Sequence, residues 1–259
     1  SAITVNGKTV AENYAETSTH DTDVIHTYNE PILENAGFVV LKGNICDAAV
    51  MKTSVISDSF RSQYLDKPGS KNVFEVRAIV FEGPEDYHAR INDPQLSIDV
   101  DCILIIRGCG PVGYPGSAEV VNMQPPDSLI RKGVTELPTL GDGRQSGTSG
   151  SPSILNASPE SAVGGGLALL KTGDMLRVDL NLGTMDVLLD ETELRKRRDQ
   201  LKTTVIENQT PWQEMYRNTV GQLSSGGIIE LAAKYKKIRN TIKCYHCKKT
   251  YLTFFKITN

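Results

Sequence analysis

The chain has 259 residues, with 28 Lys+Arg against 31 Asp+Glu for a formal charge of −3, and 39% of its residues are hydrophobic. That apolar content at low net charge belongs to a globular protein rather than a disordered one, and this length buries a sizeable core as one large domain or two smaller ones. The mild negative charge gives no general attraction to nucleic acid or anionic lipid. No apolar run approaches the roughly 20 residues of a membrane helix; the densest short run is Cys102-Ile103-Leu104-Ile105-Ile106. The start is neither Met nor a basic, apolar leader, so a chain opening at Ser1 reads as processed or cut from something longer.

In chain order, Ile3-Thr4-Val5 and Lys8-Thr9-Val10 flank Asn6-Gly7, a hairpin signal because both turn positions need positive φ. Strands are expected at Gly37–Leu41, Arg77–Phe81, Cys102–Ile106, Leu137–Leu140 and Ser153–Asn156. Met175–Leu180 and Met185–Leu189 alternate apolar and polar residues around a turn and predict a second hairpin. Gly83-Pro84-Glu85-Asp86 marks the exit of a strand into a helix over 84–92. Asp190 caps a helix to about Lys202, with Glu193 completing a capping box. Thr210-Pro211-Trp212-Gln213 repeats that pattern for a helix to Leu223, stopped near Gly226-Gly227, and a last helix is expected over Ile228–Ile238. Many short strands followed by helices, with few βαβ alternations, predict an α+β domain built around a β-barrel or mixed sheet.

Five cysteines at irregular spacing do not form a disulfide framework, and a reduced, cytoplasmic compartment is the simpler inference. Cys244-x-x-Cys247 with His246 could supply half of a zinc site, but a second ligand pair is missing. Asn156-Ala157-Ser158 and Asn208-Gln209-Thr210 match the glycosylation acceptor pattern and, without a leader, are chance matches.

Two glycine-rich loops stand out. The first, Arg107 to Glu119, contains a formal G-x-G-x-x-G at Gly108, Gly110 and Gly113. Pro111, Pro115 and Gly116 oppose the helix a dinucleotide fingerprint needs at that point. The expectation is a rigid loop whose helix starts near Ser117 and carries Glu119 in its first turn, where a carboxylate is also favoured by the helix dipole alone. The second, Gly141-Asp142-Gly143-Arg144-Gln145-Ser146-Gly147-Thr148-Ser149-Gly150-Ser151, offers amides and hydroxyls as an anion-accepting concavity. It lacks the Gly-Lys-Ser/Thr of a P-loop and the G-x-S-x-G of a nucleophile elbow. Composition leaves open a small polar ligand site or a flexible surface loop.

Taken together, Leu41-Lys42-Gly43-Asn44, Met51 to Ile56, Phe81 to Tyr87, Gly110 to Gly116, Gly141 to Asn156 and Gly164 to Leu170 resemble the dihydroxy-acid and phosphogluconate dehydratase family. Thr210-Pro211-Trp212-Gln213-Glu214 with Val220-Gly221-Gln222-Leu223 is similar to its sugar-acid branch, the arabinonate and xylonate dehydratases. The resemblance covers most of residues 1–239 and corresponds to the family's C-terminal part. It implies an α+β, swivelling β/β/α-type barrel-like domain with a mixed sheet and flanking helices. Residues 1–30 would be the end of a cluster-binding N-terminal domain and linker, 31–240 the barrel-like domain and 241–259 a divergent tail.

The function implied is a hydro-lyase that converts a 2,3-dihydroxy acid such as a pentonate to its 2-keto-3-deoxy acid. In such enzymes Mg²⁺ binds the substrate carboxylate and C2 hydroxyl, and an iron–sulfur cluster takes the departing C3 hydroxyl. By resemblance Glu119 is a Mg²⁺ ligand, Ser146 the base acting as an alkoxide, and Thr148 a neighbouring active-site residue, with Arg144 assisting in charge. None of the cysteines matches a cluster motif, so a 2Fe-2S or 4Fe-4S cluster would be held by residues outside this chain. The implied partners are a small sugar acid, a missing N-terminal domain and further copies in a dimer or tetramer, with no nucleic acid and no membrane. Alternatives are a dihydroxy-acid dehydratase of branched-chain amino-acid synthesis and a non-catalytic binding remnant of the family.

Overall fold

Short, β-rich segments separated by turns close into an eight-stranded barrel, seen in a computed structural model that describes residues 2–18, 21–34, 36–116, 119, 123–144, 152–202 and 207–233. The strands are β1 (Phe38–Gly43), β2 (Cys46–Lys52), β3 (Val73–Glu82), β4 (Cys102–Arg107), β5 (Thr139–Gly141), β6 (Ser153–Ser158), β7 (Met175–Asp179) and β8 (Thr184–Val187). Around the barrel they run β1-β2-β6-β5-β4-β3-β7-β8. The sheet is mixed: β3, β4, β5 and β6 are parallel to their neighbours in that run, whereas β1/β2, β2/β6, β3/β7 and β7/β8 are antiparallel. The expected α+β barrel is the fold observed.

Burial follows the period of the pleat. Ile103 and Ile105 point into the main core with Leu41, Met51, Val76, Val80, Ile154, Leu176 and Met185. Cys102, Leu104 and Ile106, on the other face of β4, join Ile79, Phe81, Tyr87, Leu129 and Leu137 in a second cluster outside the barrel. A strand buried on both faces reads as an unbroken apolar run, which is why residues 102–106 are the densest in the chain. The helices are short: α1 (Val10–Tyr14), α2 (Asp58–Phe60), α3 (Pro84–Arg90), α4 (Asp127–Ile130), α5 (Glu191–Asp199), α6 (Pro211–Arg217) and α7 (Glu230–Ala233). Among the described residues no helix is long and apolar enough to cross a membrane.

Two compact units are distinguished, Ser1–Gly37 and Phe38 onward. In the first, the expected Asn6-Gly7 hairpin is reduced to one isolated bridge, Ile3 to Thr9. Thr9 leaves the strand to cap α1, accepting from the Glu12 amide while the Glu12 carboxylate accepts from the Thr9 amide. A capping box satisfies two donors at once, and here it wins over the second strand of a ribbon. In the second unit, Asp190 and Thr210 cap their helices as expected, through the amides of Glu193 and Gln213. The helices end at Asp199 and Arg217, earlier than expected. The helix predicted near Ser117 and Cys244-x-x-Cys247 fall largely or wholly outside the described residues.

Candidate functional site

Because β3 to β6 are mutually parallel, their carboxyl ends share one mouth of the barrel, and the loops that leave them converge there. Crevices at the carboxyl ends of parallel strands are the usual ligand sites of such sheets. The last residues of β3 and β4 are tied directly, since the Arg107 guanidinium is paired with the Glu82 carboxylate. Its Nη1 donates to the carbonyls of Leu167, Ala168 and Leu170 at 2.9, 3.0 and 3.0 Å. One cation thus joins the end of the parallel sheet to the Gly164–Leu170 segment.

The G-x-G-x-x-G loop proves to be an anion nest, and its anions belong to the protein. Asp142, fully buried at the end of β5, accepts from the Gly108 amide at 3.1 Å and the Cys109 amide at 2.8 Å. It also accepts from the amide and hydroxyl of Ser161, at 2.9 and 2.6 Å. Glu160, 1% exposed just beyond β6, accepts from the amides of Val112 at 2.9 Å and Gly113 at 2.8 Å. Gln222 brackets Glu160, its Nε2 donating to the carboxylate at 2.9 Å and its Oε1 accepting from the Glu160 amide at 2.7 Å. Amides that would meet a dinucleotide pyrophosphate in the fingerprint are consumed by these two carboxylates. Gly110 is required by the same packing: a Cβ there would stand 2.4 Å from the Glu160 carboxylate.

Segment 207–222 reaches the loop a second time. Arg217 on α6 donates from Nε to the Val112 carbonyl at 2.9 Å, so the Val112–Gly113 peptide is held at its carbonyl by Arg217 and at its amide by Glu160. Beyond the loop, the Tyr87 hydroxyl accepts from the Gln124 amide at 2.8 Å. Burial pushes the Tyr87 phenol up. Burial also pushes the Glu160 carboxyl up, against the hydrogen bonds that it accepts.

Glu119 stands on this anchored loop with its carboxylate exposed, 3.6 Å from the guanidinium of Arg144 in the second glycine loop. An exposed pair at that distance contributes little stability, so its interest is placement: it joins the two loops singled out in the sequence at one mouth. Ser146 and Thr148, in the same second loop, lie outside the described residues. Asp142 and Gln222 lie inside stretches quoted from the sequence, but their roles and that of Glu160 were not read there, because their partners are 19 to 62 positions away.

Among the described residues no three His, Cys, Asp or Glu side chains converge as a metal cluster. Glu119 is a hard, solvent-facing oxygen donor and fits one ligand of Mg²⁺, which characteristically takes one or two carboxylates and completes its octahedron with water and substrate. The described cysteines do not fit an iron–sulfur cluster. Cys46, Cys102 and Cys109 are buried and do not converge as a ligand set, whereas a cluster is held by several thiolates brought together. Burial pushes Cys46 up to about 12 and Cys102 to about 11, and raises Cys109 as well.

Residues 23–227 match the family described as dihydroxy-acid/6-phosphogluconate dehydratase C-terminal. The chain belongs to this family. It is similar to the D-xylonate dehydratase of Caulobacter vibrioides, 59% identical over 236 residues, covering 91% of this chain and 40% of that protein. Similarity extends to the L-arabinonate dehydratase of Rhizobium leguminosarum bv. trifolii, at 38% identity over 76% of this chain and 32% of the relative. The L-arabonate dehydratase of Azospirillum brasilense is 35% identical, over 89% and 36% respectively. The chain therefore spans 40% or less of the length of each of these relatives. Three of the stretches that carried the resemblance have structural work in this member: Leu41 to Asn44 builds the β1–β8 seam, Gly110 to Gly116 wraps Glu160, and Gly164 to Leu170 receives Arg107.

Proposed function

We propose that this chain is the C-terminal part of a hydro-lyase that dehydrates a 2,3-dihydroxy sugar acid, a pentonate, to the 2-keto-3-deoxy acid. The observation that carries the reading is the meeting of Glu119 and Arg144 at the carboxyl ends of the parallel strands, in a family member 59% identical to a D-xylonate dehydratase. In this reading residues 1–30 end a preceding domain, 31–240 close over the substrate, and 241–259 are a divergent tail.

Ser146 takes the C2 proton of the substrate onto its oxygen. The electron pair of the broken C2–H bond forms the C2–C3 double bond as the C3–O bond breaks, the C3 hydroxyl departs with that bond's electrons as hydroxide and takes up one proton to leave as water, and the enol tautomerises to the ketone. A serine oxygen is a base only as an alkoxide, which nearby positive charge and hydrogen-bond donors favour. Arg144, two positions before Ser146, places a cation at that mouth. Glu119 would hold Mg²⁺, which when bound supplies a charge that stabilises the anion developing beside the substrate carboxylate. The iron–sulfur cluster implied by the family would be held by residues outside this chain.

The test is Ser146→Ala in the full-length protein. Turnover of a pentonate is expected to fall by about 10²–10⁴-fold, the worth of a positioned base, with the melting temperature unchanged. Near-normal kcat removes Ser146 from the mechanism.

A further inference from the structure

We propose that Glu160, clamped by Gln222, is a positioning residue for Glu119: it sets where the metal-facing carboxylate stands without touching metal or substrate. The inference rests on the proposed role of Glu119 as a Mg²⁺ ligand. Three observations carry it. Glu160 is 1% exposed and accepts from the Val112 and Gly113 amides, so it holds the loop six and seven positions before Glu119. Arg217 donates to the Val112 carbonyl, so the Val112–Gly113 peptide is held at both its carbonyl and its amide. Gln222 meets Glu160 twice, once at the carboxylate and once at the backbone amide, so the position of Glu160 is itself fixed by the 207–222 segment.

A device meant only to stabilise the loop does not require a buried charge. Burial of an ionised carboxylate is costly unless hydrogen bonds satisfy it, and an apolar contact would anchor the loop at less cost. What a carboxylate adds is direction: its lone pairs fix the orientation of two consecutive amides and one side-chain amide. The held segment continues into Tyr114-Pro115-Gly116, where Pro115 restricts the backbone, on the same loop as Glu119, whose carboxylate stands 3.6 Å from Arg144. Gly110 must lack a side chain for Glu160 to reach this position.

Glu160→Gln keeps the shape but turns a side-chain NH₂ toward donors. The reciprocal exchange, Glu160→Gln with Gln222→Glu, restores a donor opposite an acceptor between the two side chains. The experiment measures two quantities in the full-length protein: amide hydrogen exchange over residues 108–119, and the affinity for Mn²⁺, an EPR-visible substitute for Mg²⁺. Glu119→Gln is the control.

The expected result is faster exchange at Val112 and Gly113 in Glu160→Gln, with Mn²⁺ bound about tenfold more weakly, the lower end of what loss of a ligand's supporting partner costs. The double exchange is expected to recover at least half of both effects. If Glu160→Gln loosens the amides but binds Mn²⁺ like the wild type while Glu119→Gln does not, Glu160 is a structural anchor only and the proposal is overturned. If Glu119→Gln itself binds Mn²⁺ normally, the ligand reading of Glu119 is overturned, and the positioning role falls with it.

Discussion

Burial raises the Glu160 carboxyl above its ordinary value of 4.5 even though two loop amides and the Gln222 side chain stabilise its charge. The folded state therefore binds this proton more tightly than the unfolded state does. By linkage, stability falls as pH rises wherever the folded state holds more protons. The contribution of Glu160 is complete below its unfolded value and is lost as pH climbs through the raised folded value. Asp86 and Glu193, lowered by hydrogen bonds from Arg90 and Arg197, slope the other way and are lost as pH falls. Subtraction of a variant isolates the buried group. The unfolding free energy of wild type minus that of Glu160→Gln, from urea titrations, is expected to decline from about pH 4.5 upward and to level off above the folded value. A difference that rises over that window would show that the hydrogen bonds outweigh burial.

At the scale of elements, the barrel is closed by a narrow seam. Strands β1 and β8 share a single parallel pair, Lys42 with Thr184. Asn44 completes the seam by exchanging hydrogen bonds with the Val187 backbone, its Nδ2 donating at 2.9 Å and its Oδ1 accepting at 2.8 Å. Gly43 sits so close to β8 that a Cβ there would lie 1.8 Å from the Met185 carbonyl oxygen. Gly43→Ala is therefore expected to cost about 3 kcal/mol, the upper range for overpacking a filled site, and Asn44→Ala about 2 kcal/mol for two lost hydrogen bonds. Urea denaturation of each variant checks both; a Gly43→Ala protein of wild-type stability would mean that the seam opens without cost. Much of this architecture is legible beforehand. The apolar run at Cys102–Ile106, the alternation around Asn181-Leu182-Gly183 and the caps at Asp190 and Thr210 each announce their element through local pattern. Strand β2 does not, because Cys46-Asp47-Ala48-Ala49-Val50 carries weak β-formers and gains its partners only from β1 and β6. The same limit hides Asp142 and Glu160. Their role is to satisfy amides distant in sequence, and an isolated acid in a loop gives no local sign of that. The roles of Glu119 and Arg144, though not their loops, came only through resemblance to the family, and their meeting required the parallel order of β4 and β5.

At the scale of the molecule, the main core draws its buried side chains from Leu41 to Leu194, entirely within the second compact unit. The described part of α1 buries none of its residues. The barrel should then fold without the first unit: deletion of residues 1–37 is expected to leave a single cooperative thermal transition within a few degrees of that of the 259-residue chain, measured by circular dichroism. Folding and catalysis separate at this point. Of the carboxylates described at the mouth, Glu82 is paired with Arg107 and Asp142 and Glu160 are buried on loop amides, whereas Glu119 faces solvent beside Arg144; the described thiols are buried and poorly ionised. Under the proposed function the cysteine ligands of the cluster would come from outside the described residues, and the relatives are proteins of which this chain spans 40% or less. Under the proposed function the 259-residue chain supplied with Mg²⁺ and a pentonate is expected to be folded and without dehydratase turnover, and the full-length protein is expected to form the 2-keto-3-deoxy acid. Product formation by the isolated chain, followed by trapping the keto group with semicarbazide, would show that the barrel and its loops hold the complete catalytic set.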